Sequence, residues 1–517
     1  MPSDLKSRAR PASSLLWMGL LATALLAACA QNGNNGARGT VELSESEKVT
    51  LELEQTVGFV NDPDLLTYVE SIGGRISAKG KRNDVDFRFY ILDMPIPNAL
   101  ALPEGQIFIS RGALVLVNTE DELAGILAHE IAHVEEYHAD ERQGLILVTS
   151  PIRLGTDIAG WATGLIIPGL GEAISELGET TTGLVLAPYS REQEREADRI
   201  GQSLAALAGY EPDGLADLLD TMANAEALDP ENVHEQSFFD SHPATAERVV
   251  LTREHSKSLS PASRPASVKS REGMLAMLEG LVIGEDPGKG FFDENWFVHP
   301  ELAFLIAFPP DWEGINSSGF VGAKAPNEET FVMLALVAGG TDPMEGARVA
   351  SQKLNVDLVT DAELGSVNGL QAAKNQVQLS RDESEIQKME LTWIAYDGLI
   401  YQIMGVATLE HFEAAEELMR KSAHSFRPLG DEERSQILVT RLQVVEGEQG
   451  ETIAELAERV GTPWSAEAIS VVNRKPVTTI LEAGELLKVG IQNSYASEPP
   501  GAAEKSFDPG LVIHRRP

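Results

Sequence analysis

His129 and His133 stand four residues apart with Glu130 beside the first, in the run His129-Glu130-Ile131-Ala132-His133. Four residues is a little more than one helical turn, so on a helix the two imidazoles share a face and can grip one cation. Glu130 is turned about 100° from His129, beside the ion's open position rather than on it. A second pair has the same spacing: Glu194 and Asp198 share a face with Ala197 and Gly201, small residues that allow another helix close approach. Glu194 then supplies a third ligand and leaves one position for water, the ligand count of a catalytic rather than a structural zinc site. Asp198 accepts the ring N–H of a ligating histidine, His129 in this reading, and fixes its tautomer. The alternative is that the acidic run is a solvated helix face, as Glu192, Arg195 and Glu196 are.

The elements that must position these groups are legible nearby. Thr119 followed by Glu122 is a capping-box pattern, and Leu123, Ile126, Leu127 and Val134 recur at helical spacing, which places the histidines mid-helix. Ser190 and Gln193 open a second helix that runs to about Gly209. His138 is five residues past His133, off the ion-binding face of a continuous helix, and reads as a packed or solvated histidine.

These residues carry a resemblance. An HExxH helix followed by Glu-x-x-Ala-Asp resembles the zinc metallopeptidase family that includes HtpX, the Ste-type CAAX prenyl protease and BepA. Asn98-Ala99-Leu100-Ala101-Leu102-Pro103-Glu104-Gly105-Gln106-Ile107-Phe108 is similar to the Asn-Ala-x-Ala-x-Pro-Gly-Gly strand of its soluble branch, with Glu104 in place of the first glycine. Ser241-His242-Pro243 with Arg248 resembles its His-Pro-x-x-x-x-Arg segment. The resemblance covers roughly residues 44–256. It implies one Zn2+ per chain on His129, His133 and Glu194, which lowers a water pKa towards ~7 while Glu130 takes and returns the proton. It further implies that Asn98, Ala99, Gly105 and Ile107 lie on an edge strand that pairs with an extended polypeptide substrate. His242 touches the substrate or the oxyanion, or latches the fourth zinc position, and Arg248 stabilises the oxyanion. A latched, mainly non-catalytic chaperone or a peptidoglycan-tethered scaffold is the alternative.

The rest of the chain sets compartment and architecture. Lys6, Arg8 and Arg10 precede an apolar run from Leu15 to Leu26, then Leu26-Ala27-Ala28-Cys29. That order resembles a lipoprotein signal, with residues 1–28 removed and lipid on Cys29; an ordinary signal peptide or a retained anchor helix are the other readings. It implies a bacterial envelope protein facing the periplasm, and Ala30 points to the outer membrane. Residues 29–43 form a polar tether. Cys29 is the one cysteine in 517 residues, so any metal must sit on His and carboxylates. Asp and Glu number 79 against 41 Lys and Arg, a net charge of −38 that repels nucleic acid.

The expected organisation is multi-domain α+β: a mainly helical zincin-type peptidase domain with a small edge-strand sheet at 44–256, then a linker with a short helix at 257–289. Residues 290–428 resemble a PsbP/Mog-like α/β sandwich, through Phe308-Pro309-Pro310-Asp311-Trp312. Within them Asp397-Gly398, between two β-rich runs, predicts a tight hairpin. Residues 436–491 resemble a LysM-like βααβ module, with Gly450-Glu451-Thr452-Ile453 at its core, which implies peptidoglycan as a partner. Residues 492–517 read as a disordered tail.

Overall fold

Thr119 stops the preceding chain in an extended conformation and its hydroxyl accepts from the Glu122 backbone N–H, so helix α2 begins at the next residue and runs Glu120–Glu135. The Glu122 carboxylate reaches back to the Asn118 N–H at 2.7 Å and satisfies a second donor at this helix start. The computed structural model that shows this describes residues 43–142, 146–149, 183–186, 188–228, 238–242, 246–317, 319–327, 329–354, 356–382 and 385–495. The signal segment, Cys29, the Gly-rich stretch 155–171 and residues 496–517 lie outside the described residues.

Four more helices surround α2. α1, Pro63–Ser77, is capped by Asp62 and buries Leu65, Val69, Ile72 and Ile76 at helical spacing. α3, Arg191–Leu207, starts at Ser190 with both halves of a capping box formed with Gln193. α4 is Gly214–Ala227 and α5 is Ala246–Ser256. Glycines set how closely they meet. A Cβ on Gly201 of α3 would stand 2.9 Å from the backbone of Ala128 and His129, and one on Gly125 would stand 2.5 Å from the Leu215 nitrogen. The helices that carry the two halves of the candidate site therefore meet backbone to backbone.

A three-stranded sheet lies against α1 and α2, in the order β1 (Arg88–Leu92), β3 (Gln106–Ser110), β2 (Ala99–Ala101), with β1 parallel and β2 antiparallel to β3. The segment 98–108 is thus not one edge strand. Leu102-Pro103-Glu104-Gly105 makes a turn in which Gly105 takes φ +92°, and Ile107 belongs to the central strand. Asn98 and Ala99 do lie at the edge, but both are buried.

Beyond α5, helix α6 (Arg271–Leu278) inserts Met274, Leu275 and Leu278 into the same core as α1, α2 and α4, so this part of the expected linker is built into the interior. Residues 313–408 contain an antiparallel seven-stranded sheet that completes a hairpin at Asp397-Gly398, where Tyr396 pairs with Leu399. Side chains alternate along its strands: Phe331, Met333 and Trp393 pack beneath helix Met344–Leu354, while Val332, Leu334 and Tyr401 pack beneath helix Leu409–Ser425. A four-stranded sheet built from 291–307 and 427–428 packs alongside. Finally strand Leu438–Glu446, helices Ile453–Val460 and Ala466–Val472, and strand Leu486–Ser494 form a small unit whose strands pair antiparallel. Its first strand also pairs with Val282–Ile283. Among the described residues no helix is long and apolar enough to cross a membrane.

Candidate metal centre

α2 places His129 and His133 with their Nε2 atoms 3.1 Å apart, and α3 brings Glu194 Oε1 to 3.3 Å from His133 Nε2. A fourth group comes from the loop before α5. His242 Nδ1 lies 2.9 Å from Glu194 Oε1 and 3.2 Å from His129 Nε2. The four ligand atoms of His129, His133, Glu194 and His242 lie within 4.8 Å of one another, and all four residues are buried. His242 is held there by a stack on Phe238, with ring centroids 4.4 Å apart and planes 9° apart. Phe238 in turn donates its backbone N–H to Pro97 O at 3.0 Å, which ties the loop to the start of the β2 edge.

Outward of this cluster, His129 Nδ1 faces Asp198 Oδ1 at 3.0 Å. Arg248 binds both carboxylates of α3. Its Nε and Nη2 reach Asp198 at 2.7 and 2.8 Å, and its Nη1 reaches Glu194 Oε2 at 2.5 Å. The reading of Arg248 as an oxyanion charge is therefore revised: a guanidinium that is 4% exposed and engaged by two carboxylates has no fork left for a substrate oxygen. Two neighbours of His133 have no sequence-based role. Tyr189 stacks on the His133 ring at 3.7 Å and 13°. His138 Nδ1 lies 3.2 Å from His133 Nδ1. α2 ends at Glu135 and Tyr137 takes φ +62°, so the chain doubles back and returns His138 to the face that a continuous helix would carry it away from.

The electrostatics follow from burial opposed by pairing. Burial lowers His129, but the Asp198 hydrogen bond and the Glu194 charge outweigh it and raise the imidazole above its ordinary value. His133 lies well below the ordinary histidine range because burial wins over its contact with Glu194, with His129 adding to the drop. Burial pushes Glu194 up, yet His242 and Arg248 hold it well below the usual carboxylate range; Asp198 is lowered by Arg248 and His129 against the same opposition.

Three imidazoles and a carboxylate form a donor set of the N/O type that zinc takes. Glu130 supplies an independent sign. Both of its carboxylate oxygens are buried and have no hydrogen-bond partner among the described residues, a costly state for a carboxylate without a cation or water beside it. Its Oε1 stands 3.6 Å from His242 Nε2. The residues fit a metal.

Comparison with known proteins agrees. Residues 63–255 match the family described as Peptidase family M48. That span is a little over a third of the chain. The chain is 30% identical over 186 residues to the mitochondrial metalloendopeptidase OMA1 of Schizosaccharomyces pombe, covering 35% of this chain and 50% of that protein. It is 24% identical over 238 residues to the β-barrel assembly-enhancing protease of Escherichia coli, with 45% and 46% covered. It is 28% identical over 190 residues to the metalloprotease LoiP of Escherichia coli, with 37% and 68% covered. The chain spans about half the length of the curated relatives it matches first. The solution structure of cyanobacterial PsbP overlays with a TM-score of 0.15 at 12% identity, covering 28% of this chain and 98% of that one, which is too low to argue a fold for 290–428. M48 metalloproteases use a metal, and the buried His/Glu group can hold one.

Proposed function

We propose that this protein is a zinc-dependent metalloendopeptidase, lipid-anchored through Cys29 in the bacterial envelope, that cleaves misfolded or stalled envelope polypeptides in the periplasm. The observation that carries the hydrolytic reading is the convergence of His129, His133, Glu194 and His242 beside the buried Glu130 carboxylate, which has no hydrogen-bond partner among the described residues. Zinc, one per chain on His129, His133 and Glu194, would supply a Lewis acid that polarises a peptide carbonyl and brings the pKa of a water towards ~7. Glu130 then takes the proton of the attacking water and returns it to the leaving amine. Asp198 holds the Nδ1 proton of His129, so that Nε2 faces inward. Arg248 keeps Glu194 and Asp198 ionised in a buried site.

His242 gives this reading its resting state. With a fourth side chain at ligand distance, substrate entry requires that His242 give way. The same contact favours the second reading, a latched chaperone or scaffold. The LysM-like reading of 436–491, with peptidoglycan as a partner, rests on the strand–helix–helix–strand order and the Gly450–Ile453 pattern.

One experiment separates the two readings. Zinc-loaded full-length protein is incubated with an unfolded polypeptide such as reduced casein, alongside Glu130→Gln. The enzyme reading expects both forms to hold one zinc and the variant to lose about 10²–10⁴ in rate. Undiminished cleavage by Glu130→Gln ends the mechanism, and no cleavage by either form selects the latched scaffold.

A further inference from the structure

We infer that His138 is a positioning residue of the metal centre, holding His133 in the tautomer that presents Nε2 to the ion. The inference rests on the metallopeptidase reading and extends it to a residue outside the ligand set.

The geometry is the mirror of the arrangement at His129. Each α2 histidine turns Nε2 inward, the two atoms 3.1 Å apart, and so turns Nδ1 outward. A nitrogen that ligates through its lone pair leaves the proton on the other ring atom, and that proton needs an acceptor when the ring is buried. At His129 the acceptor is Asp198, at 3.0 Å. At His133 the atom in reach is His138 Nδ1, at 3.2 Å, and both rings are buried. If His133 carries its proton on Nδ1, His138 accepts through Nδ1 and carries its own proton on Nε2. That Nε2 faces the Glu196 carboxylate at 3.6 Å. Both chains of contact thus end on α3, the helix that also supplies Glu194: His129 through Asp198 directly, His133 through His138 to Glu196.

An imidazole suits the second position where a carboxylate does not. Glu130, Glu194 and Asp198 already crowd the site, and Arg248 is the one guanidinium among the described residues that pairs with two of them. A neutral acceptor orients His133 without adding a fourth buried negative charge. Tyr189 completes the restraint by stacking on the His133 face at 3.7 Å, leaving rotation about the ring axis as the freedom that His138 removes.

The test uses two isosteric variants in the full-length chain. In His138→Asn the amide oxygen stands where Nδ1 stood and still accepts a hydrogen bond from His133 Nδ1–H; in His138→Leu nothing does. Zinc affinity is measured by competition with a chromophoric chelator, with thermal unfolding of each apo form as the folding control. The expected result is about 10–100-fold weaker zinc binding for His138→Leu, with His138→Asn restored close to wild type. Equal zinc affinity for Leu and Asn, whether both match wild type or both fall, overturns the positioning role. If the wild-type chain itself takes up no zinc, the metallopeptidase reading fails first and takes this one with it. Tight wild-type binding with an unaffected Leu variant sinks the His138 role alone.

Discussion

Arg248 shows how a side chain can matter to a reaction without touching it. Its guanidinium is buried against Asp198 and Glu194, which pushes it still further above its already high ordinary pKa. Arg248→Ala leaves two buried carboxylates without their guanidinium, and is expected to lower stability by about 3–5 kcal/mol, measured as a shift in the urea unfolding midpoint. A midpoint within error of wild type would show that water reaches those carboxylates. At this scale the sequence was informative where a single helix decides the matter. His129, Glu130 and His133 share α2, Glu194 and Asp198 share α3, and spacing alone orders their faces. Arg248 was misjudged because its partners depend on how α3 and α5 pack, which no local pattern encodes. His138 was missed because the reading extended α2 past Glu135, and the left-handed backbone at Tyr137 has no glycine or asparagine to announce it.

At the scale of elements, the site exists because α2 and α3 come within backbone contact, and Gly201 is what permits that. A Cβ there meets Ala128 and His129 at 2.9 Å, with backbone atoms that cannot swing aside. Gly201→Val is therefore expected to wedge the two helices apart, at a cost of about 1–3 kcal/mol, and to weaken zinc binding more than tenfold while far-ultraviolet circular dichroism stays close to wild type. Retained zinc affinity would mean that the helices tolerate separation. Helix starts were legible because Thr119 and Ser190 are caps with a defined chemistry. The 98–108 segment was harder. The resemblance implies one edge strand, but the turn at 102–105 divides the segment between an edge strand and a central one, and only pairing reveals which half is which.

At the scale of the molecule, the small unit at 438–494 is seated on the peptidase core. Lys488 is fully buried, and its ammonium donates to Val115 O and Val117 O at 2.7 Å each, directly ahead of α2. Arg474 binds Glu122 in the first turn of α2 and Asp217 on α4, at 2.8 and 2.7 Å. None of this was legible, since contacts between residues more than 250 positions apart leave no trace in local patterning. Burial lowers Lys488 from 10.5 to about 7. The unfolded chain keeps that proton to higher pH, so between about pH 7 and 10 the unfolded state binds more protons and stability climbs with pH. Urea midpoints at pH 7, 8 and 9 should rise for wild type relative to Lys488→Met; parallel lines for the two proteins would remove Lys488 as the source.

The shared interior has a bearing on how the protein is made. Leu442 and Val472 sit in one buried cluster with Leu127 and Ile131 of α2. A ribosome that has added residue 255 has therefore joined every side chain named in the chemistry, but not Leu442 or Val472, which complete the packing around α2. The interior around α2 is complete only once residues up to Val472 have followed, so the helix that carries both histidines finishes its packing late in synthesis.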